Sequence, residues 1–277
     1  MVIRELIKEC VGKLKDSNIE NAVFDANLIV RTYLGLKPID IVLEGGRKVS
    51  DGDTEKIRSL CRRRCQREPL QYILGVWEFM GLELEVNKGV LVPRADTEVL
   101  AETVLSENKG MNVLDICSGS GCIALSIAHY NSSAFVTGID ISDSALELSR
   151  RNAEKTELSK RVRFEKCDIL NEIPDGVYDV IVSNPPYIET AQIDKLQKEV
   201  SFYEPRIALD GGEDGLLFYR RICSVAPKLL QQHGKIYFEV GHSQADTVER
   251  LMADAGLKNI RRIKDLCKVE RVLCAER

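Results

Sequence analysis

The sequence predicts an α/β fold: a small N-terminal helical bundle, a β-hairpin, and a Rossmann-like parallel-sheet domain. Three observations support this. Apolar residues recur at helical spacing in residues 1–75, and residues 76–92 alternate apolar and polar positions around Met80-Gly81. From residue 93 to 277, short apolar strands alternate with helices. Repeated βα alternation indicates a mostly parallel sheet covered by helices on both faces.

The elements follow in order along the chain. Helices are expected at residues 3–14, 22–34 and 57–65, with Pro69 after the third. The hairpin is expected to connect the two domains. In the last region we expect strands at 113–116, 135–139, 162–165, 177–183, 235–240, 258–263 and 269–275, and helices at 123–129, 145–155, 214–231 and 244–255. The charged run 62–64 is interpreted as a solvated face, with a phosphate-bearing partner as the alternative.

Composition limits the function classes. The chain has 277 residues and a net charge of −4, which argues against a general polyanion binder. Residues 1–75 carry 14 Lys and Arg against 11 Asp and Glu, an excess of +3, so the remainder carries −7. The N-terminal region is therefore the better face for an acidic partner.

Cellular context is also indicated by composition. No apolar run approaches the roughly 20 residues of a membrane span, and the N-terminus does not resemble a signal peptide. The nine cysteines lack a framework spacing, which fits a reducing cytoplasm. Cys61 and Cys65 have no two further ligands nearby, so no metal site is expected. We expect a cytoplasmic monomer without a membrane partner.

A glycine-rich loop follows the first strand of the sheet and opens a helix. Its candidate cofactor-binding residues are Asp115, Cys117, Ser118, Gly119, Ser120 and Gly121. Glycines allow a sharp turn and a close approach to a ligand, and strand ends are where such folds bind nucleotides. Such a loop is, however, also typical of a simple tight turn.

Two more strand ends complete a candidate adenosine pocket. Asp140 closes the second strand, about twenty residues after the loop, where a carboxylate accepts hydrogen bonds from ribose hydroxyls. Asp168 follows the third strand and would hold the adenine amine, with Ile169 packed on the ring. Alone, Asp168 equally fits a helix cap or a turn. The three sites also fit a dinucleotide enzyme, so they do not select the chemistry.

The segment Asn184-Pro185-Pro186-Tyr187 indicates the chemistry. Its prolines fix φ and lack an N–H, so the loop is stiff and rich in acceptors. The Asn184 side-chain oxygen and the Pro185 carbonyl suit a planar nitrogen that donates two N–H bonds. Holding both hydrogens aims the lone pair at an electrophile and stabilises developing positive charge. Tyr187 would stack on the planar group. The alternative is a proline turn beside a core tyrosine.

These four residues resemble the signature of amino-methyltransferases that act on adenine, guanine or glutamine. Residues 69–75, 91–98, 204–212 and 214–216 narrow the resemblance to the PrmC/HemK release factor glutamine methyltransferases. That family combines a helical domain, a hairpin and a Rossmann-like class I methyltransferase domain. The resemblance covers essentially the whole chain.

The resemblance implies a function and assigns residues to it. It implies methyl transfer from S-adenosylmethionine to the glutamine of the Gly-Gly-Gln motif in class I peptide-chain release factors. Residues 1–75 would recognise the release factor. Asp140 would take the ribose, and residues 184–187 would hold the substrate glutamine, with Asn184 also near the cofactor.

Some further residues match a family segment without being assigned a single role, and one residue departs from the family. Arg94, Thr97 and Glu98 match a segment near the active-site mouth, although Arg94 also suits a structural ion pair. The family usually has glycine where Cys117 stands. Because a positive φ would strain a cysteine, either φ is ordinary there or the loop is remodelled, with a modest effect on cofactor affinity.

Two other functions remain open from the sequence. A nucleic-acid amino-methyltransferase could use the same loop on a flipped or single-stranded base. However, such enzymes need a large basic surface, which this acidic chain lacks, so no direct nucleic-acid substrate is expected. A non-catalytic binding module would not need both Asp140 and an intact Asn184–Tyr187 loop.

Overall fold

The computed structural model describes residues 1–108 and 111–277, which form two compact units. One unit comprises Met1–Val76 together with Gln197–Tyr203. The other comprises Trp77–Leu196 together with Glu204–Arg277. The inclusion of residues 197–203 in the first unit was not anticipated from the sequence, because the segment is distant along the chain. Within the described residues, no helix has both the length and the apolar character needed to cross a membrane.

The first unit is helical and has its own apolar core. Its helices are α1 (Ile3–Asp16), α2 (Ala22–Tyr33), α3 (Pro38–Leu43), α4 (Asp51–Cys65) and α5 (Leu70–Leu74), with the later α9 (Lys198–Ser201). The three expected helices are confirmed as α1, α2 and α4. In α1, Ile3, Leu6, Cys10 and Leu14 are fully buried, which is the spacing of one helix face. The shorter α3 and α5 span too few residues to show periodicity.

The charged run 62–64 in α4 is a solvated face only in part. Arg62 is exposed, as expected. By contrast, the Arg64 side chain is only 12% exposed and forms ion pairs with Asp25 at 2.7 Å and Glu199 at 3.0 Å. All three residues belong to the first unit. Arg64 therefore ties α4 to α2 and to the 197–203 segment, because a buried charge needs partners.

The second unit alternates strands and helices, as expected. Its elements are β1 (Val76–Phe79), β2 (Leu82–Glu85), α6 (Ala95–Glu107), β3 (Asn112–Ile116), α7 (Cys122–Tyr130), β4 (Phe135–Asp140), α8 (Asp143–Lys155), β5 (Val162–Lys166), β6 (Tyr178–Ser183), α10 (Leu217–Leu229), β7 (Leu230–Glu239), α11 (Ala245–Asp254), β8 (Lys258–Lys264) and β9 (Glu270–Glu276). Short 3₁₀ helices span Thr190–Lys195 and Arg206–Ala208. Helix α6 was not among the expected elements.

The large sheet has seven strands in the order β5-β4-β3-β6-β7-β9-β8. Pairings among β3 to β7 are parallel, and β9 is antiparallel to both of its neighbours. One apolar cluster joins the sheet to α6, α7 and α8, and a second joins it to α10 and α11. Helices therefore cover both faces, and the Rossmann-like fold class is confirmed.

Within the second unit, the hairpin β1–β2 packs against α7 and α8. Phe79, Leu82 and Leu84 belong to the same apolar cluster as α7. The Asn152 side chain of α8 accepts a hydrogen bond from Glu85 N at 2.7 Å and donates to the carbonyls of Glu85 and Ser120. Through Asn152, the hairpin is linked to the glycine-rich loop after β3.

Candidate functional site

A cavity opens at the carboxyl ends of β3, β4 and β6, within the second unit. Its walls come from residues 89–94, Thr97, 116–120, 122–123, 139–142, Ala145, 167–170, Asn184, Pro186, 207–208 and Phe218. Parallel strands place their carboxyl ends at one edge of the sheet, which is why separated segments meet here. Most of the expected site residues lie in this cavity.

The loop after β3 forms one wall of the cavity. Cys117 has φ of 62° and Gly119 has φ of 55°, so the backbone turns through the left-handed region at both residues. The Ser118 N–H donates to the Ile139 carbonyl at 3.0 Å. The Ser118 hydroxyl is buried and has no protein partner among the described residues. A buried hydroxyl without a partner is costly, which suits a bound ligand's polar atom.

Asp140 closes β4 and faces the same loop. One carboxylate oxygen accepts from Gly119 N at 2.9 Å, and the other accepts from Ser142 N at 2.9 Å. Burial raises the pKa of Asp140, while these backbone N–H groups act to lower it. Each oxygen has more than one lone pair, so the carboxylate keeps acceptor capacity toward the cavity.

The Asp168-Ile169 pair also lines the cavity, but the Asp168 carboxylate is used locally. One oxygen accepts from Leu170 N at 3.1 Å, and the other accepts from the Asn171 side chain at 2.7 Å. The turn alternative for Asp168 is therefore what the structure has, since an aspartate readily closes a turn onto its own backbone. Ile169 is buried against the cavity and contributes apolar surface.

Asn184 follows β6 and reaches the cavity with a defined hydrogen bond. Its Nδ2 donates to the Thr97 hydroxyl oxygen at 3.1 Å. Thr97 lies in the first turn of α6 and is 2% exposed. Because the Asn184 amide nitrogen donates to Thr97, the side-chain oxygen points away from Thr97, and it has no hydrogen-bond donor among the described residues.

The Asn184–Tyr187 loop is fixed by groups that sequence reasoning missed. The Gln244 side chain donates to the Tyr187 carbonyl at 2.9 Å and to the Gly215 carbonyl at 3.2 Å. A Cβ on Gly215 would lie 2.4 Å from the Tyr187 carbonyl oxygen. The loop therefore packs against a backbone that only glycine allows. The family resemblance in the sequence includes the Asp214-Gly215-Leu216 segment, whereas no sequence pattern indicated a role for Gln244.

Tyr187 and Glu239 meet beside the loop. The Tyr187 hydroxyl donates to Glu239 Oε1 at 3.4 Å. Burial raises the pKa of Tyr187 above its ordinary value. Tyr187 lies outside the cavity wall and packs against the α10–α11 apolar cluster, so the expected stacking role stays a prediction. Glu239 was missed because one glutamate at a strand end carries no recognisable pattern.

Arg94 lines the cavity and forms an ion pair. Its Nη2 lies 2.7 and 2.6 Å from the two carboxylate oxygens of Glu204. The Glu204 side chain is 1% exposed, and burial raises its pKa against the opposing charge of Arg94. The ion-pair alternative for Arg94 is therefore present. Glu98 lies outside the cavity wall, since its carboxylate accepts from Met80 N at 2.9 Å in the hairpin turn.

Besides Tyr187 and Glu98, three expected site residues do not line the cavity: Asp115, Gly121 and Pro185. Asp115 is fully buried, and its carboxylate has no hydrogen bond of standard geometry among the described residues. Burial raises its pKa well above the ordinary value, opposed by the Ala124 backbone N–H at the start of α7. Asp115 and Gly121 belong to the segment at the end of β3, and the role expected for the Pro185 carbonyl stays a prediction.

Replacing Cys117 with glycine is expected to raise the free energy of unfolding by about 1 kcal/mol, because a left-handed φ strains residues that carry a Cβ. The Cys117→Ala variant keeps the Cβ and should keep the strain, so it is the matched control. Denaturant unfolding measures both variants. A Cys117→Gly variant less stable than Cys117→Ala would show that φ of 62° carries no cost here.

Comparison with known proteins places the chain among methyltransferases. The methyltransferase small domain model matches residues 94–213, and the PrmC N-terminal domain model matches residues 5–75. A release factor glutamine methyltransferase of Clostridium acetobutylicum is 38% identical over 100% of this chain and 99% of its own length. One from Geobacter sulfurreducens is 39% identical over 98% of this chain and 95% of its length.

A solved structure gives the same fold. The methyltransferase from Pyrococcus furiosus superposes with a TM-score of 0.57 and covers 80% of this chain and 97% of that one. Its sequence identity is 20%, so the similarity concerns the fold alone.

Proposed function

The chain belongs to the release factor glutamine methyltransferase family, and from that premise we propose that it methylates a glutamine side-chain amide in class I release factors. The acceptor is the glutamine of their Gly-Gly-Gln motif, and the methyl donor is S-adenosylmethionine. Residues 1–75 recognise the release factor in this proposal, and the reaction takes place in the cytoplasm. The observation that supports it most is Asn184, held at the cavity with a side-chain oxygen that has no donor among the residues that the structure describes.

The residues of the cavity fit S-adenosylmethionine. The Ser118 hydroxyl is buried without a protein partner, and Asp140 retains acceptor capacity beside the Gly119 backbone. These groups match an adenosine-bearing ligand with ribose hydroxyls. Ile169 adds apolar surface for the base. When bound, the cofactor supplies an electrophilic methyl group carried on a sulfonium.

The chain's own residues orient the acceptor amide. An amide nitrogen is a poor nucleophile because its lone pair is delocalised. The Asn184 oxygen and the Pro185 carbonyl accept its two N–H bonds and turn the lone pair toward the methyl group. Such orientation can recover about 7–11 kcal/mol of a barrier. As the new N–C bond forms, the bond between the methyl group and the donor sulfur would break and leave its electron pair on sulfur. One amide proton then leaves to solvent, so the chain needs no strong base.

The test is direct. The purified full chain is incubated with S-adenosylmethionine and a class I release factor, and the Gly-Gly-Gln peptide is examined by mass spectrometry. One added methyl group on the glutamine is expected. A release factor with glutamate at that position is the matched control and should stay unmodified. Methylation of nucleic acid instead, with none on the glutamine, would favour an amino-methyltransferase of bases.

A further inference from the structure

Gln244 joins three segments of the second unit behind the Asn184–Tyr187 loop. It stands just before α11, and its side chain is half-buried. Its oxygen accepts from the Gly241 N–H at 3.0 Å, and its Nε2 donates to the carbonyls of Tyr187 at 2.9 Å and Gly215 at 3.2 Å. Gln244 lies outside the wall of the cavity at the strand ends, so it can affect that cavity only through these contacts.

The three contacts fix which way the Gln244 amide faces. A backbone N–H can only donate, and a backbone carbonyl can only accept. The Gly241 N–H therefore requires the side-chain oxygen, and the two carbonyls require the side-chain NH₂ group. An ionised carboxylate of the same size would satisfy Gly241 but would offer the carbonyls no donor. Only an amide of this length meets all three partners.

The peptide group between Tyr187 and Ile188 is held on both of its sides. Its carbonyl accepts from Gln244, and its N–H, which belongs to Ile188, donates to the Leu209 carbonyl at 2.9 Å. At the other end of the loop, Ser183 is paired with both β3 and β7. Between these two ends, the two prolines have no N–H to donate. The position of the loop therefore depends strongly on what holds its ends.

Glycines let other backbone segments come close to the loop and to Gln244. A Cβ on Gly211 would lie 2.8 Å from Tyr187 Cα and 2.9 Å from the Pro186 carbonyl oxygen. A Cβ on Gly241 would lie 2.8 Å from Gln244 Oε1. A side chain at either glycine would displace the loop or the Gln244 amide, so the close approach itself requires glycine.

The position of the Tyr187 carbonyl affects the acceptor oxygens earlier in the loop. Because proline fixes φ at Pro185 and Pro186, the segment moves largely as a stiff unit. A shift at its Tyr187 end therefore also moves the Pro185 carbonyl and the Asn184 side-chain oxygen. In the proposed function, these two oxygens accept the N–H bonds of the substrate amide. A misplacement of about 1 Å near a reacting centre can cost about 100-fold in rate.

Resting on the proposed function, we propose that Gln244 is a positioning residue that holds the Asn184–Tyr187 loop so that both acceptor oxygens face the substrate amide. It acts through the Tyr187 carbonyl. A residue that only stabilised the turn before α11 would not transmit a change to the loop, and the two roles can be told apart by experiment.

The contact can be tested without a release factor. Amide hydrogen exchange is followed by mass spectrometry on the fragment that contains Ile188, whose N–H is bonded to Leu209. Gln244→Met keeps the side-chain length but removes its polar atoms, and Gln244→Glu places an acceptor against two carbonyls. Both variants should exchange up to about 10-fold faster there. Gln232→Glu, at the exposed amino end of β7, is the matched control and should exchange as wild type. Unchanged exchange in both Gln244 variants would overturn the proposal.

Kinetics then test the consequence for methyl transfer. Gln244→Met should lower kcat by about 10- to 100-fold, with the KM for the release factor and the Kd of S-adenosylmethionine within about threefold of wild type. Gln244→Glu should lower kcat further. A wild-type kcat in both variants would refute the role of Gln244. Because the exchange measurement needs no release factor, faster exchange in the variants of an enzyme that is inactive on release factors would refute the proposed substrate alone.

A double variant distinguishes positioning from a general structural role. In an Asn184→Ala background, the loss of kcat caused by Gln244→Met should be at least about threefold smaller, since one of the two acceptors that it positions is already gone. Losses that simply multiply would mean that Gln244 acts independently of the loop, which contradicts the proposal.

Discussion

Replacing Asn184 with alanine is expected to lower kcat for release factor methylation by about 100- to 1000-fold, the usual loss when a preorganised hydrogen-bonding group at a reacting centre is removed. The substrate amide would keep one acceptor at most, and its lone pair would no longer be aimed. The Thr97 hydroxyl would also lose the N–H that it accepts from Asn184. Initial rates at saturating cofactor measure this loss.

Measuring cofactor affinity for the same variant distinguishes an effect on the methyl-transfer step from an effect on cofactor binding. Asn184 borders the cavity in which we propose that the cofactor binds, so cofactor affinity should change by only a few-fold, which titration calorimetry measures. Asn112→Ala, at the exposed amino end of β3 and far from the strand ends that form the cavity, is the matched control with no expected change. A kcat for Asn184→Ala within about threefold of wild type would mean that this residue does not hold the acceptor nitrogen.

Replacing Gly215 with alanine is expected to have a large effect on both stability and activity. The new Cβ would lie 2.4 Å from the Tyr187 carbonyl oxygen and 2.7 Å from Gln244 Nε2, at a φ of +70°. Left-handed strain and overpacking together should cost about 2–4 kcal/mol of unfolding free energy. The Tyr187 carbonyl must also move, so kcat should fall by about 100-fold.

Gly256 offers a matched control for this substitution. It also has a positive φ, of +82°, but a Cβ there would meet nothing within 4 Å. Gly256→Ala should therefore cost only the backbone strain, about 1 kcal/mol, and leave kcat unchanged. Denaturant unfolding and initial rates compare the two variants. Equal losses in both would mean that contact with Tyr187 is unimportant and that φ alone sets the effect.

Local sequence patterns predicted most of the fold. Apolar spacing was enough for α1, α2 and α4, because each buries one face over several turns. Alternation of strands and helices was enough for the Rossmann-like sheet, because parallel strands require crossover helices. Helix α6 was missed even though it packs on the sheet, since its apolar and polar residues show little segregation by face.

The sequence by itself determined the loop after β3, the carboxylate at Asp140 and the stiff Asn184–Tyr187 segment, because each is a contiguous motif with its own backbone requirement. Only the tertiary structure decided the partners of these motifs. It assigned Arg94 to Glu204, Asn184 to Thr97 and Tyr187 to Glu239. The physical reason is that hydrogen bonds and ion pairs between distant segments depend on where strand ends meet, and no local pattern encodes that distance.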